Sequence, residues 1–290
     1  MKSQVIKTIW THPMSIRGGR YKTMYRFFRW QLWEKPFHKN AGVEKEWFDG
    51  RKLMLYSGRT TSTGNYYLGL MEYEEMAFCL AYVTQEDFFI DCGANVGVYS
   101  VLLGAESMGG IAIEPGSDTF AILEENLRIN NLVNVQAVKC GAGARKEQML
   151  LTRGNDTTNH VICPNSNNAS QDLYETIEIL PLDSFCSMRK VTILKIDVEG
   201  MEKSVLEEAR NLLMSETLNV VILETFGSGD LHESMIEYGF RLCSYDPENR
   251  ELIVCGKNAV VNNGIYVKNV ALAQRRLKEK KGYEILGVSI

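Results

Sequence analysis

Phe89-Ile90-Asp91-Cys92-Gly93-Ala94-Asn95-Val96-Gly97-Val98-Tyr99 decides how this chain is read. Residues 88–92 have the short apolar run of a buried strand, and 98–106 the pattern of a helix. Between them Asp91-x-Gly93-x-x-x-Gly97 makes a tight turn. Gly93 and Gly97 let the backbone bend sharply and approach a ligand closely. In open α/β sheets ligands sit beyond the carboxyl ends of the strands, where this turn must lie.

Outward from that turn the alternation continues. Strands are expected at 110–114, 133–139, 147–153, 175–180, 191–196 and 218–224, and helices at 118–130, 201–213 and 230–238. Apolar strands separated by helices imply a parallel sheet covered on both faces. Residues 240–245 and 251–255 flank Asp246-Pro247-Glu248-Asn249-Arg250, a turn sequence that makes a terminal antiparallel hairpin. The expected fold is α/β, a doubly wound and mostly parallel seven-stranded sheet with that hairpin and an N-terminal helical appendage. Residues 154–171, rich in Asn, Thr and Ser, read as a long loop, and 60–65 as a polar one. Residues 69–82 read as a helix that carries Glu72, Glu74 and Glu75.

The chain has 290 residues, of which 45% are hydrophobic and 23% charged, an ordinary globular composition. It contains no apolar run of roughly 20 residues, the length that crosses a bilayer, and no signal-peptide pattern. The expected location is the cytoplasm, with the inner face of the membrane as an alternative. Seven cysteines without a C-x-x-C pair resemble neither a disulfide framework nor a zinc site. Net charge is −4, unevenly spread. Residues 1–52 carry 12 Lys and Arg against 4 Asp and Glu, together with all four tryptophans. Four segments are expected: a basic, Trp-rich appendage at 1–52, a bridge at 53–86, the main domain at 87–260 and an extension at 261–290. Residues 21–33 form a helix with Met24, Phe27, Phe28 and Trp33 on one broad face. It either covers an apolar edge of the main domain, pairs two subunits, or lies on a membrane surface.

Glu114 ends the strand after the turn, 17 residues beyond Gly97, where a carboxylate can accept both ribose hydroxyl protons of an adenosine. A nicotinamide enzyme would use a similar acid, but its G-x-G-x-x-G fingerprint serves a pyrophosphate. The present turn has two glycines spaced by four and Asp91 ahead of them. S-adenosylmethionine has no phosphate; it has an aminoacyl group and a sulfonium, which suit an acidic, amide-rich turn. The cofactor residues expected are Asp91, Gly93, Ala94, Asn95, Gly97, Tyr99, Glu114 and Pro115, with Asp197 nearest the sulfonium. Cys140 and Gly141, which end the third strand, lie where methyltransferases cradle adenine. Asn126 is read as a polar surface residue.

The stretches FIDCGANVG (89–97), Ile113-Glu114-Pro115, Leu182-Asp183-Ser184, LKIDVEGME (194–202), Tyr238-Gly239-Phe240 and Tyr245-Asp246-Pro247 resemble the FkbM family of S-adenosylmethionine-dependent methyltransferases. The likeness covers roughly residues 60–255. It implies a Rossmann-like class I methyltransferase fold and O-methylation, often of sugar or polyketide hydroxyls. Thr63–Leu70 with Glu72 and Glu74 is similar to members associated with glycan biosynthesis. Cys140-Gly141 departs from the family's usual pair, which weakens the adenine assignment.

Lys195, Asp197 and Glu199 alternate at the end of a central strand and are the catalytic residues expected. Three ionisable groups there are costly to bury unpaired, so they form an ion-pair cluster or face cofactor and acceptor. In the second reading Asp197 orients the cofactor or acceptor, while Glu199 and Lys195 position or deprotonate a hydroxyl. No metal is assigned, although Asp197, Glu199 and Glu224 form an oxygen-rich set that Mg²⁺ would accept. His160 is either a loop base or incidental. The expected acceptor is a sugar, glycan or other hydroxyl-bearing molecule; nucleic acid is not expected, and a homo-oligomer is open. Methylation of a polyketide, peptide or small metabolite, or a non-catalytic cofactor-binding subunit, are the alternatives.

Overall fold

The computed structural model describes residues 2–37, 41–152, 161–162, 174–186, 189–198, 200–225, 229–256, 259, 261 and 263–290. Helices α1 (Lys2–Thr11), α2 (Pro13–Gly18) and α3 (Arg20–Arg29) lead the chain, and α3 runs into a π-helical turn at Trp30–Glu34. A hairpin of β1 (Val43–Glu46) and β2 (Lys52–Leu55) precedes α4 (Thr60–Leu68) and α5 (Tyr73–Tyr82). The alternating section begins with β3 (Phe88–Cys92), α6 (Val98–Gly104), β4 (Gly109–Ile113), α7 (Ser117–Ile129) and β5 (Val135–Val138). A small sheet of β6 (Gly141–Ala142), β7 (Glu147–Thr152), β8 (Val161–Ile162) and β9 (Tyr174–Leu180) interrupts it. Then come β10 (Ile193–Ile196), α8 (Glu202–Glu208), α9 (Arg210–Met214), β11 (Val220–Glu224) and α10 (Gly229–Glu237). The chain ends with β12 (Arg241–Asp246), β13 (Glu251–Val254), β14 (Asn263–Val267), α11 (Val270–Glu279) and a short hairpin of β15 (Glu284–Ile285) and β16 (Val288–Ser289).

The main sheet has the order β13-β12-β14-β11-β10-β3-β4-β5, eight strands where the sequence pattern counted seven. β11, β10, β3, β4 and β5 pair in parallel, and β14 runs antiparallel to both of its neighbours. The expected hairpin of β12 and β13 is present at the edge. The strand inserted beside β11 is β14, from the segment read as a C-terminal extension. Its apolar core, Ile265-Tyr266-Val267, is too short for periodicity to mark it. Residues 60–65, read as a loop, instead open α4.

Alternation along the strands separates two cores. Phe89, Ile193, Val220 and Ile222 point to one face, and Ile90, Leu194, Ile196, Val221 and Leu223 to the other. The first core also contains Ile9, Met14, Phe27, Trp30 and Trp47. The N-terminal segment therefore packs into the same core as one face of the sheet. Asp91 and Lys195 sit on this same face, directly paired in register between β3 and β10.

Asn126 corrects a reading of the sequence. It is not on the surface but fully buried on α7. Its Oδ1 accepts from the Met54 amide (2.7 Å) and its Nδ2 donates to the Val96 carbonyl (2.7 Å). Asn130, one turn on, does the same for Lys52, accepting from its amide and donating to its carbonyl (2.8 Å each). Together they replace the strand partner that β2 lacks on this side and tie it to the turn after β3. Replacing Asn126 with Leu leaves a buried donor and a buried acceptor unpaired. The expected loss is about 3 kcal/mol in urea unfolding; a loss under about 1 kcal/mol would show that the bridge carries little.

Candidate active site

The turn after β3 is shaped by a close approach. Gly93 has φ +79°, and a Cβ built there would fall 1.7 Å from the Asp197 carbonyl oxygen, so only glycine fits. The Gly93 and Ala94 amides both donate to the Ile113 carbonyl, at 3.0 and 2.9 Å. The ends of β3, β4 and β10 are thus drawn to one point. Asn95 takes a left-handed conformation (φ +51°), which a short amide side chain tolerates, and its Oδ1 accepts from the Val96 amide. Gly97 begins α6, also at positive φ, against Leu123.

Glu114, nearly buried at the end of β4, is held in a fixed orientation. Its Oε1 accepts from the Gly116 amide (2.8 Å) and the Thr119 hydroxyl (2.7 Å), and its Oε2 from the Asn95 amide (3.0 Å). Burial raises its pKa while these three donors pull it back. Beside it, on the central strands, lies a cluster of charge. Lys195 Nζ is 2.9 Å from Asp197 Oδ2 and 4.9 Å from the centre of the Tyr99 ring. Burial works against its ammonium, but Asp197, Asp91 and Glu72 outweigh that and hold its pKa above the ordinary lysine value. Asp197 keeps 35% of its side chain open. Burial pushes its carboxyl up, yet Lys195 and a hydrogen bond with Glu224 leave it below the usual value. Asp91 is fully buried and its pKa is raised by that burial. Ser100 donates to its Oδ2 (2.7 Å), and its Oδ1 has no hydrogen-bond partner.

These residues surround a cleft of about 290 Å³ at the carboxyl ends of the strands. Of the residues singled out in the sequence, Gly93, Ala94, Asn95, Tyr99, Glu114, Pro115, Gly141, Lys195 and Asp197 line it. Asp91, Gly97 and Cys140 do not reach its surface and act from behind it. Glu199, His160 and all of the Asn-rich stretch except Val161–Ile162, which forms β8, lie outside the described residues. Among the described residues no group of three or more His, Cys, Asp or Glu is arranged to hold a metal ion. The set of Asp197, Glu199 and Glu224 includes the undescribed Glu199.

The remaining wall comes from upstream of the strand–turn–helix. Thr60, Thr61, Asn65, Met71 and Glu72 line the cleft, and so does Glu224. Glu72 is the residue that sequence reasoning missed, because it stood within an acidic run that suits any solvated helix start. Its Oε2 accepts from the Tyr99 hydroxyl (2.5 Å). Burial raises its pKa against the pull of Lys195 and Tyr99. The segment before it is anchored by two groups far away in sequence and one nearby on α4. Trp47 Nε1 donates to the Gly69 carbonyl (2.5 Å), His12 Nε2 to the Met71 carbonyl (2.9 Å), and the Met71 amide to Asn65 Oδ1 (2.9 Å). His12 Nδ1 accepts from the Met14 amide, so the ring is a neutral tautomer, in keeping with a pKa lowered by burial.

Glu75, three residues on from Glu72 in the first turn of α5, gives a pH test. Burial, reinforced by Glu72 and Glu74, raises its pKa to about 7. The folded chain then holds this proton more tightly than the unfolded chain does. Its contribution to stability is greatest at low pH and falls as pH rises from the ordinary carboxylate range to about 7. Glu75→Gln is expected to remove that slope, so the variant gains on the wild type above neutrality. Parallel stability–pH curves for the two proteins, from chemical denaturation, would contradict it.

The model of the methyltransferase FkbM domain matches residues 91–246, more than half of the chain. Methyltransferase 1 of Beauveria bassiana (strain ARSEF 2860) is 28% identical over 143 residues, covering 42% of this chain and 57% of the relative, so the chain spans little more than half of that protein's length. The crystal structure of an FkbM methyltransferase from Methylobacillus flagellatus KT aligns with a TM-score of 0.45 at 16% identity, over 71% of this chain and 52% of that one. An rRNA methylase from Streptococcus thermophilus aligns at 0.40 and 11% identity, over 67% and 93%. The chain belongs to the FkbM methyltransferase family, whose cofactor is S-adenosyl-L-methionine.

Proposed function

We propose that this protein transfers a methyl group to a hydroxyl oxygen of a sugar or glycan. The observation that carries the reading is the polarity of the wall that faces the acceptor. Asp197 and Glu224, at the carboxyl ends of the neighbouring strands β10 and β11, line the cleft together with Thr60, Thr61 and Glu72 from upstream of the sheet, while Glu114 ends β4. Hydroxyl and carboxylate groups at this density match the hydrogen bonds a sugar offers and suit an apolar ring system poorly.

The residues present fit the cofactor. The Asp91 oxygen without a partner, and an excess of carboxylates over the single Lys195 ammonium, favour a ligand with cationic groups. Gly93, Ala94 and Asn95 would hold its aminoacyl part, Glu114 the ribose hydroxyls, and Pro115 and Gly141 the adenine, with Cys140 supporting that strand end from behind the cleft. When bound, S-adenosylmethionine supplies an electrophilic methyl carbon on a sulfonium. The protein's task is to align the acceptor oxygen and to receive its proton. Lys195, held protonated, orients and does not serve as a base. Asp197, ionised and partly open, orients the cofactor or acceptor. Glu72 Oε1, on a carboxylate whose pKa burial has raised, is well suited to take the hydroxyl proton. Glu199 shares the positioning of the acceptor in this reading.

Two measurements test it. Calorimetry with S-adenosylmethionine and S-adenosylhomocysteine should give micromolar affinity, and Glu114→Gln should weaken it by about tenfold or more. Unchanged affinity would remove Glu114 from the ribose. Mass spectrometry of a panel of hydroxyl acceptors should then find methyl transfer to sugars, with Glu72→Gln and Lys195→Met lowering turnover by about a hundredfold while S-adenosylhomocysteine still binds. Transfer to aromatic hydroxyls alone would replace the acceptor class, and cofactor binding with no transfer to any acceptor would point to a non-catalytic subunit.

A further inference from the structure

Helix α3 and the π-helical turn after it are apolar on two opposite faces. The inner face buries Thr23, Phe27 and Trp30, with the Phe27 ring 5.4 Å from that of Tyr67 on α4. The outer face presents Tyr21, Tyr25, Phe28 and Leu32 at spacings of four, three and four, one continuous stripe on a helix. Trp33 and Phe37 are also exposed, further along the same segment. Tyr21 is 82% exposed, Phe37 80%, and Leu32 and Trp33 61% each. A contiguous aromatic stripe of this kind on a surface marks an interaction site.

Its charged surroundings say what fits. Lys22 and Arg29 are exposed beside the stripe, and Lys22 has no ion-pair partner among the described residues. Glu34, the carboxylate of this stretch, is neutralised twice over, by Arg29 at 2.8 Å and Lys45 at 2.9 Å. Next to the stripe, between α3 and the β15–β16 hairpin, a concavity is lined by Lys22 and Arg26 against one acid, Glu284. Arg26 stacks on the Tyr66 ring at 4.6 Å and has no carboxylate partner among the described residues. Residues 1–52 carry eight more positive than negative charges, whereas the rest of the chain carries an excess of twelve negative ones.

We propose that this face docks on an anionic lipid bilayer surface, with the aromatic stripe in the interfacial layer and the flanking cations on the headgroups. Tyr, Trp and Phe with Lys and Arg are the residues that stabilise this geometry. A second copy of the chain fits less well, because a two-fold contact sets the same basic face against itself. No helix among the described residues is long and apolar enough to cross a membrane, so the association is peripheral. The site lies one layer behind α4, which walls the cleft, and it stands independently of the acceptor proposed above.

The test mixes the full chain with vesicles of phosphatidylcholine alone and with vesicles that also contain phosphatidylglycerol, and reads the bound fraction by flotation. Binding is expected only to the anionic vesicles and should weaken as salt shortens the Debye length. Lys22→Glu should lower affinity at least about fivefold. The triple variant Tyr25→Ser, Phe28→Ser, Leu32→Ser should abolish binding while its circular dichroism stays that of the wild type. Should the triple variant not fold, Lys22→Glu and the salt series decide alone. Absent binding, equal binding to both vesicles, or wild-type binding by either folded variant would overturn the proposal. So would a dimer in light scattering that the triple variant converts to a monomer, which would assign the stripe to self-association.

Discussion

The Lys195 ammonium sits in the middle of the parallel sheet, where a lone charge would be expelled, and the architecture of the cleft follows from how it is accommodated. Its first partner is Asp197, two residues on and 2.9 Å away. Its second is Asp91, the register neighbour on β3. Its third is Glu72, brought in from upstream of the sheet. Three carboxylates around one ammonium leave a negative excess at the carboxyl ends of the strands. In the reading proposed above, that excess suits a cationic cofactor. The Tyr99 ring completes the arrangement, with its face towards Lys195 and its hydroxyl on Glu72.

Delivering Glu72 is the structural task of the N-terminal fifth. Trp47 and His12 grip the carbonyls of Gly69 and Met71, and Asn65 receives the Met71 amide. These groups lie on the β1–β2 hairpin, at the start of α2 and on α4, so the segment before α5 is held from three sides. Asn126 and Asn130 fasten the β2 edge to α7, and Asn126 also bonds the turn after β3 through Val96. The outer aromatic stripe of α3 and the inner cleft wall are thus two sides of one packed layer.

Close backbone approach governs the other side of the cleft. Gly93 lies against the Asp197 carbonyl, and its amide and that of Ala94 share the Ile113 carbonyl. These contacts tie the three strand ends together, and Glu114 is bonded to the same group through Asn95, Gly116 and Thr119. The Glu114 carboxylate and the Gly93–Asn95 turn are therefore positioned together.

The sequence by itself determined whatever local chemistry specifies. Strand, turn and helix around Asp91 and Gly97, the β/α alternation, the β12–β13 hairpin and the family-bearing stretches all follow from periodicity and turn residues within a few positions of one another. It also brought out Lys195 and Asp197, because charges at the end of an apolar strand stand out. Only the tertiary structure decided what depends on partners far apart in the chain. Glu72 meets Tyr99 across 27 residues, and the Asn126 amide meets Met54 across 72. Neither side chain carries a signal of burial in its own neighbourhood. β14 escaped the pattern because three apolar residues define no period, and its place beside β11 is set by the free edge it fills. Whether Lys195 is an acid, a base or a fixed charge was likewise beyond the sequence, since its protonation is set by three carboxylates that only folding assembles around it.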